Sequence, residues 1–199
     1  MKHSFLLGMV LLFSSVAFSQ INKRQWLIGG SGSLFTTKLT NSGQSTYTAK
    51  GSGIILSPNV GYFPVNNLIG GLRTYFGYSH NKGGYNNGYA AYTQTSWQTQ
   101  VGPFVRYYFL PAQHKMNLLA DASYFVGWTH TKENSYNSAY QKHKDRLHGY
   151  SFSAGPVWFL NPATALELTL DYSNNYLPSR NTGVYLNVGL QVHLRKGKG

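Results

Sequence analysis

The sequence predicts an all-β fold, an eight-stranded, antiparallel, up-and-down transmembrane β-barrel. Three observations carry that prediction. First, the text repeats itself. IILSPNVGYFPVNN, QTQVGPFVRYYFLPAQ and SFSAGPVWFLNPAT each run an apolar, aromatic stretch through a proline into a short turn. The pairs Pro58/Pro64, Pro103/Pro111 and Pro156/Pro162 account for six of the seven prolines. Repetition of one hairpin unit marks a meander. Second, eight segments alternate apolar and polar residues with period two, the pattern of strands with one greasy face. Third, aromatic residues make up 16% of the chain and charged residues only 11%, against about 25% charged in ordinary soluble domains. A wall that faces lipid has no need of surface charge.

The chain divides at residue 20. Residues 1–19 form a secretory signal peptide: Lys2 and His3 lead an apolar stretch from Phe5 to Val16, and Ala17-Phe18-Ser19 supply small residues before Gln20. Residues 20–199 form the barrel domain. No apolar run beyond the signal approaches the roughly 20 residues of a membrane-spanning helix. There is no cysteine, so neither a disulfide nor a cysteine-linked lipid anchor is available.

The predicted strands, in order, are Trp26–Thr37, Gly51–Phe63, Leu68–His80, Tyr92–Leu110, Met116–Thr129, Gly149–Leu160, Thr164–Ser173 and Gly183–Arg195. Strands tilted across a bilayer need about 9–11 residues, whereas globular strands average about 5–6. Short turns follow the second, fourth and sixth segments: Pro64–Asn67, Pro111–Lys115 and Asn161–Ala163. Longer polar loops follow the others, the longest from His130 to His148. Short turns on one side and long loops on the other fit a bacterial outer-membrane barrel. An even strand count then places both termini in the periplasm and four loops outside.

Residue size decides which face looks outward. The last segment sets Val184, Leu186, Val188, Leu190, Val192 and Leu194 against Tyr185, Asn187, Gly189, Gln191, His193 and Arg195. An eight-stranded lumen is only just wide enough for side chains. Stripes of branched aliphatics would overfill it, so they face lipid and the polar face looks in. Asp121, Glu167 and Asp171, three of the five acids, fall on the inward face with Arg73 and Arg106. Buried charges must be paired. These five are therefore expected to form an interior ionic network that plugs the lumen; a proton relay or ion path is the alternative. Pro58, Pro103 and Pro156 lack a backbone donor inside a sheet without free edges, so each is expected to mark a bulge or a weakened rung.

Aromatics gather at strand ends as two interfacial girdles: Trp26, Tyr62, Phe63, Tyr107, Phe109 and Trp158 toward the turns, Tyr78, Tyr92, Trp128, Tyr150 and Tyr172 toward the loops. In the loops, Tyr85, Tyr89, Tyr136 and Tyr140, with Lys142, Lys144 and Arg146, are the candidate surface contacts. The formal charge of +12 collects in loops and termini, through Lys38, Lys50, Lys82, Lys132, Lys142, Lys144, Arg146, Lys196 and Lys198. With an export signal and no nucleic-acid motif, this points to anionic lipopolysaccharide or phospholipid headgroups rather than nucleic acid; solvated loop charge without a partner is the plain alternative. The histidines lack ligand spacing, and no spacing joins Ser123 or Ser153 to a histidine and an acid. No metal, cofactor or catalytic residue is predicted, and the chain is not read as an enzyme.

The segment SPNVGYFPVNNLIGGLRTYFGYS, Ser57 to Ser79, resembles the recurring hairpin of the small outer-membrane β-barrel family that includes the OmpA transmembrane domain, OmpX and OmpW-like proteins. Its Tyr- and Asn-rich strands are similar to barrels from Bacteroidetes-type bacteria. The resemblance spans about residues 24 to 195 in pattern. It implies insertion by the barrel assembly machinery. The final strand ends Val192-His193-Leu194-Arg195, where family members usually carry an aromatic residue. A structural or surface-interaction role through the loops is expected, with no particular extracellular ligand indicated. The alternatives are a narrow conduit for small or hydrophobic molecules, a rim-sited lipid-modifying enzyme, and a soluble lipocalin-like carrier.

Overall fold

Period-two alternation gives each segment one greasy and one polar face, and a sheet of such strands loses its free edges by closing on itself. The computed structural model describes residues 21, 23–41, 47–85, 91–111, 114–135, 138–176 and 180–194. The expected signal peptide, residues 1–19, lies outside the described residues. The strands are β1 (Trp26–Asn41), β2 (Tyr47–Val65), β3 (Leu68–Tyr85), β4 (Tyr92–Tyr108), β5 (Met116–Ser135), β6 (Ser138–Phe159), β7 (Thr164–Tyr176) and β8 (Arg180–Leu194). They pair in chain order, all antiparallel, into a closed barrel. This is the predicted fold class.

Strand starts at Trp26, Leu68, Tyr92, Met116 and Thr164 fall where the sequence places them. The opposite ends of β1, β3, β5 and β7 run further than expected, whereas β4 stops at Tyr108, short of Leu110. The expected loop from His130 to His148 is strand for most of its length: β5 and β6 keep pairing from Met116↔Trp158 up to Ser135↔Ser138. Apolar alternation stops near Trp128, but the hydrogen-bond ladder needs no apolar residue to continue, so polar strands of 20 and 22 residues rise past the greasy band.

At the repeated prolines the structure takes the second of the two expected forms, a weakened rung. Ladder pairs are missing at Ser57-Pro58, Gly102-Pro103 and Gly155-Pro156, yet the register on either side is unchanged: Leu56↔Phe76 and Asn59↔Arg73, Val101↔Val126 and Phe104↔Ser123, Ala154↔Leu170 and Val157↔Glu167. Each proline weakens the ladder without a bulge. The bulge of the β2–β3 hairpin sits at Phe63-Pro64 instead, between Tyr62 and Val65. Asn67 closes that turn at φ 66, a left-handed conformation that asparagine tolerates. Its side chain donates to the carbonyls of Tyr108 and Leu110 at 2.9 and 3.2 Å.

Outside, the last strand presents Val184, Leu186, Val188, Leu190 and Leu194, all exposed, with Leu72, Phe76, Val101, Val105, Leu118, Val126, Phe152 and Leu170 continuing the band around the wall. Trp26, Tyr62, Tyr107 and Phe109 are exposed at the turn end, and Trp128 and Tyr172 at the other. Phe63 departs from its expected place in the girdle. It shares parity with inward-facing Ser57 and Asn59 and is wholly buried in the lumen.

The barrel closes through a short seam. β1 meets β8 only from Trp26↔Leu194 to Gly32↔Val188, while the rest of β1 pairs with β2 and the rest of β8 with β7.

Candidate functional site: the lumen and the outer basic face

Inward residues stack in layers from the turn end upward. The lowest is apolar. Ile21, Leu27, Phe63, Ile69, Tyr108, Leu119, Val157, Phe159 and Ala165 form one buried cluster across the lumen. Ile21 is held under the barrel by its carbonyl, which accepts from the Asn67 amide at 3.3 Å. Phe63 stacks on Tyr108 with ring centroids 6.4 Å apart. The His193 ring meets Phe63, Tyr108 and Phe159 at 5.8, 6.4 and 5.6 Å. A polar-lumen reading misses this layer. Its signal is nonetheless in the sequence, as large apolar residues of inward parity close to every short turn.

Above it lies an ionic layer. β3, β4, β5 and β7 each place one charged side chain at this height. Arg73 holds Asp121 in a fork, Nη1 to Oδ1 at 2.8 Å and Nη2 to Oδ2 at 2.6 Å. Arg106 joins two acids, with Nε 3.0 Å from Asp121 Oδ2 and Nη1 2.6 Å from Glu167 Oε1. Tyr108 donates to Glu167 Oε1 at 3.3 Å and Gln191 to Glu167 Oε2 at 3.1 Å. Arg73 also lies over the Phe104 ring, 4.6 Å from its centroid, which is cation–π distance. Two guanidiniums thus meet two carboxylates, almost wholly out of solvent.

Asp171 stands apart. It is buried on β7, but the ion pairs among the described residues do not include it. Arg73 attracts it from beyond ion-pair distance, and Ser151 is its polar neighbour. Near it, Tyr75, Ser123 and Ser151 form a hydroxyl chain, with Tyr75 to Ser123 and Ser123 to Ser151 each 2.8 Å. Small polar residues follow, and the lumen widens into a cavity lined by Ser153, Thr169, Ser173, Asn175, Tyr185 and Asn187.

The predicted surface contacts divide. Tyr140, Lys142, Lys144 and Arg146 lie exposed on β6, where Trp128↔Arg146, His130↔Lys144 and Lys132↔Lys142 face each other across the hairpin. Lys142 sits 5.5 Å from the Tyr140 ring centroid and Lys144 5.9 Å from that of Trp128. Tyr85 ends β3 opposite Tyr47. Tyr89 and Tyr136 lie outside the described residues. A second basic row, unnoticed in the sequence, runs across three strands: Lys38↔Lys50 and Lys50↔Lys82 are cross-strand neighbours. All five acids of the chain, by contrast, have inward parity: Asp121, Glu133, Asp145, Glu167 and Asp171. Among the described residues, no group of three or more histidines and acids could hold a metal ion.

No protein-family model matches this sequence, and no curated protein does. Solved structures do resemble it. The outer membrane protein OprG from Pseudomonas aeruginosa aligns with a TM-score of 0.51 at 10% identity, over 90% of this chain and 100% of that one. The N-terminal β-barrel domain of Pseudomonas aeruginosa OprF gives 0.45 at 13% identity, over 86% and 98%. Neisserial surface protein A gives 0.45 at 17%, over 84% and 96%. The likeness to OprG shows the fold: this chain is built as a small outer-membrane-type β-barrel.

Proposed function

We propose that this chain is a non-enzymatic barrel of the bacterial outer membrane, with a structural or surface-interaction role exercised through its long hairpins. One observation carries the reading, the sorting of charge by face. Lys38, Lys50, Lys82, Lys132, Lys142, Lys144 and Arg146 are all exposed on outward faces above the apolar band, and no acid shares those faces. Like charges directly opposite each other on a sheet are destabilising, so Lys132↔Lys142 and Lys38↔Lys50↔Lys82 cost stability unless an anion lies between them. Anionic headgroups, the phosphates of lipopolysaccharide above all, supply such anions at the height just beyond the hydrocarbon. In this reading the short turns and both termini are periplasmic, and the barrel assembly machinery inserts the chain during biogenesis. The apolar layer at the turn end speaks against a continuous water path, and the hydroxyl chain of Tyr75, Ser123 and Ser151 includes no histidine, which speaks against hydrolysis.

Refolding the protein into phosphatidylcholine vesicles with and without lipopolysaccharide tests the reading. Lipopolysaccharide should raise the unfolding midpoint of the native chain, less so at high salt. A variant with Lys132, Lys142, Lys144 and Arg146 all changed to Gln should lose most of that increment. An equal increment in both proteins would refute the proposed contact.

A further inference from the structure

We propose that the lumen above the ionic layer is a binding cup for a small primary amine, with Asp171 as its charge partner. The cup is independent of what the outer face binds.

Charge balance is the first support. Arg73 and Arg106 are matched by Asp121 and Glu167, at N–O distances of 2.6 to 3.0 Å. Asp171, 9% exposed, is then a third carboxylate in the same lumen, leaving one excess negative charge among these five groups. A buried carboxylate without a cation is costly. Arg73 attracts it, but that guanidinium is forked onto Asp121 and makes no ion pair with Asp171.

The surroundings suit an ammonium. Asp171 lines the cavity together with Tyr75, Phe125, Ser153 and Tyr185. Aromatic faces attract organic cations, and hydroxyls take the ammonium protons that the carboxylate leaves. Further up the same wall, the Oδ1 of Asn175 is a buried acceptor with no partner, placed for a donor at the ligand's other end. Arg73, at the cup's floor, is already committed to Asp121, so it does not supply a competing anion site. Because an eight-stranded lumen admits little beyond its own side chains, the ligand must be slender.

Ethanolamine is the probe, with ethylene glycol as its neutral counterpart. The test is NMR titration of the whole barrel in phosphatidylglycerol nanodiscs. Ethanolamine should produce saturable shifts at Ser151, Asp171 and Tyr185, and ethylene glycol should not. Asp171→Asn keeps the side chain's shape and should weaken the response at least tenfold. Ser153→Lys places a tethered ammonium at the residue paired with Asp171 across β6 and β7, and should abolish it. That variant decides the matter if Asp171→Asn does not fold. A second arm, nanodiscs containing phosphatidylethanolamine without free amine, separates a lipid headgroup from a dissolved ligand; shifts there alone assign the ammonium to the headgroup. No saturable shift in either arm, or an undiminished response in Ser153→Lys, would overturn the proposal.

Discussion

At the scale of single residues, the lumen is held by charge pairs that cannot be broken singly. Glu167 accepts from Arg106, Tyr108 and Gln191. Glu167→Ala would leave Arg106 only Asp121, which Arg73 already holds in a fork, and removing one partner of a buried pair costs about 3–5 kcal/mol. Urea titration of the refolded barrel, followed by tryptophan fluorescence, should show the midpoint fall accordingly; an unchanged midpoint would mean that the layer carries no such weight. The inward placement of Arg73, Arg106, Asp121 and Glu167 was legible from parity. The separation of Asp171 from those pairs was not, because alternation gives the face of a residue but not its height relative to a neighbouring strand. The apolar layer was legible but missed, because a rule assigning polar residues to the inside overlooks that an end of the lumen sealed from water is best filled with rings such as Phe63, Tyr108 and Phe159.

At the scale of elements, the prolines and the hairpin ends hold the lessons. A proline removes a ladder donor, and at two of the three sites a glycine precedes it. A Cβ on Gly102 would meet the Tyr124 carbonyl, and one on Gly155 the Leu168 carbonyl. At these two sites the strands approach so closely that only glycine fits. Gly102→Ala should therefore destabilise the barrel by about 1–3 kcal/mol, the cost of overpacking, as read by the same urea titration; a neutral result would mean that the strands part there freely. In the β5–β6 hairpin, Lys142→Glu puts an opposite charge across from Lys132. It should stabilise the pair by about 0.2–1 kcal/mol while reducing the lipopolysaccharide-dependent increment. Thermal melts with and without lipopolysaccharide would show the two effects moving in opposite directions. The sequence located strands by their greasy stripes. It therefore stopped them where the stripes stop, although residues such as Thr131, Lys132 and Glu133 go on pairing beyond the apolar band.

At the scale of the whole molecule, one arrangement explains composition, alternation and closure together. A small share of charged residues, long strands and exposed Val and Leu would be liabilities in a soluble protein, and they become requirements when the outside of the cylinder is hydrocarbon. Fold class was legible because three properties of the chain, repeat, period and composition, are set by that single constraint. Ligand chemistry was not, because it depends on the height at which a few inward side chains meet.

The most direct test of the inside-out arrangement exploits the absence of cysteine. Single cysteines introduced from residue 184 to residue 194 can carry a nitroxide, whose collisions with oxygen report lipid and with a water-soluble nickel chelate report solvent. The account predicts high oxygen accessibility at 184, 186, 188, 190 and 194 and low accessibility at 185, 187, 189, 191 and 193. The reversed alternation, or none, would contradict it.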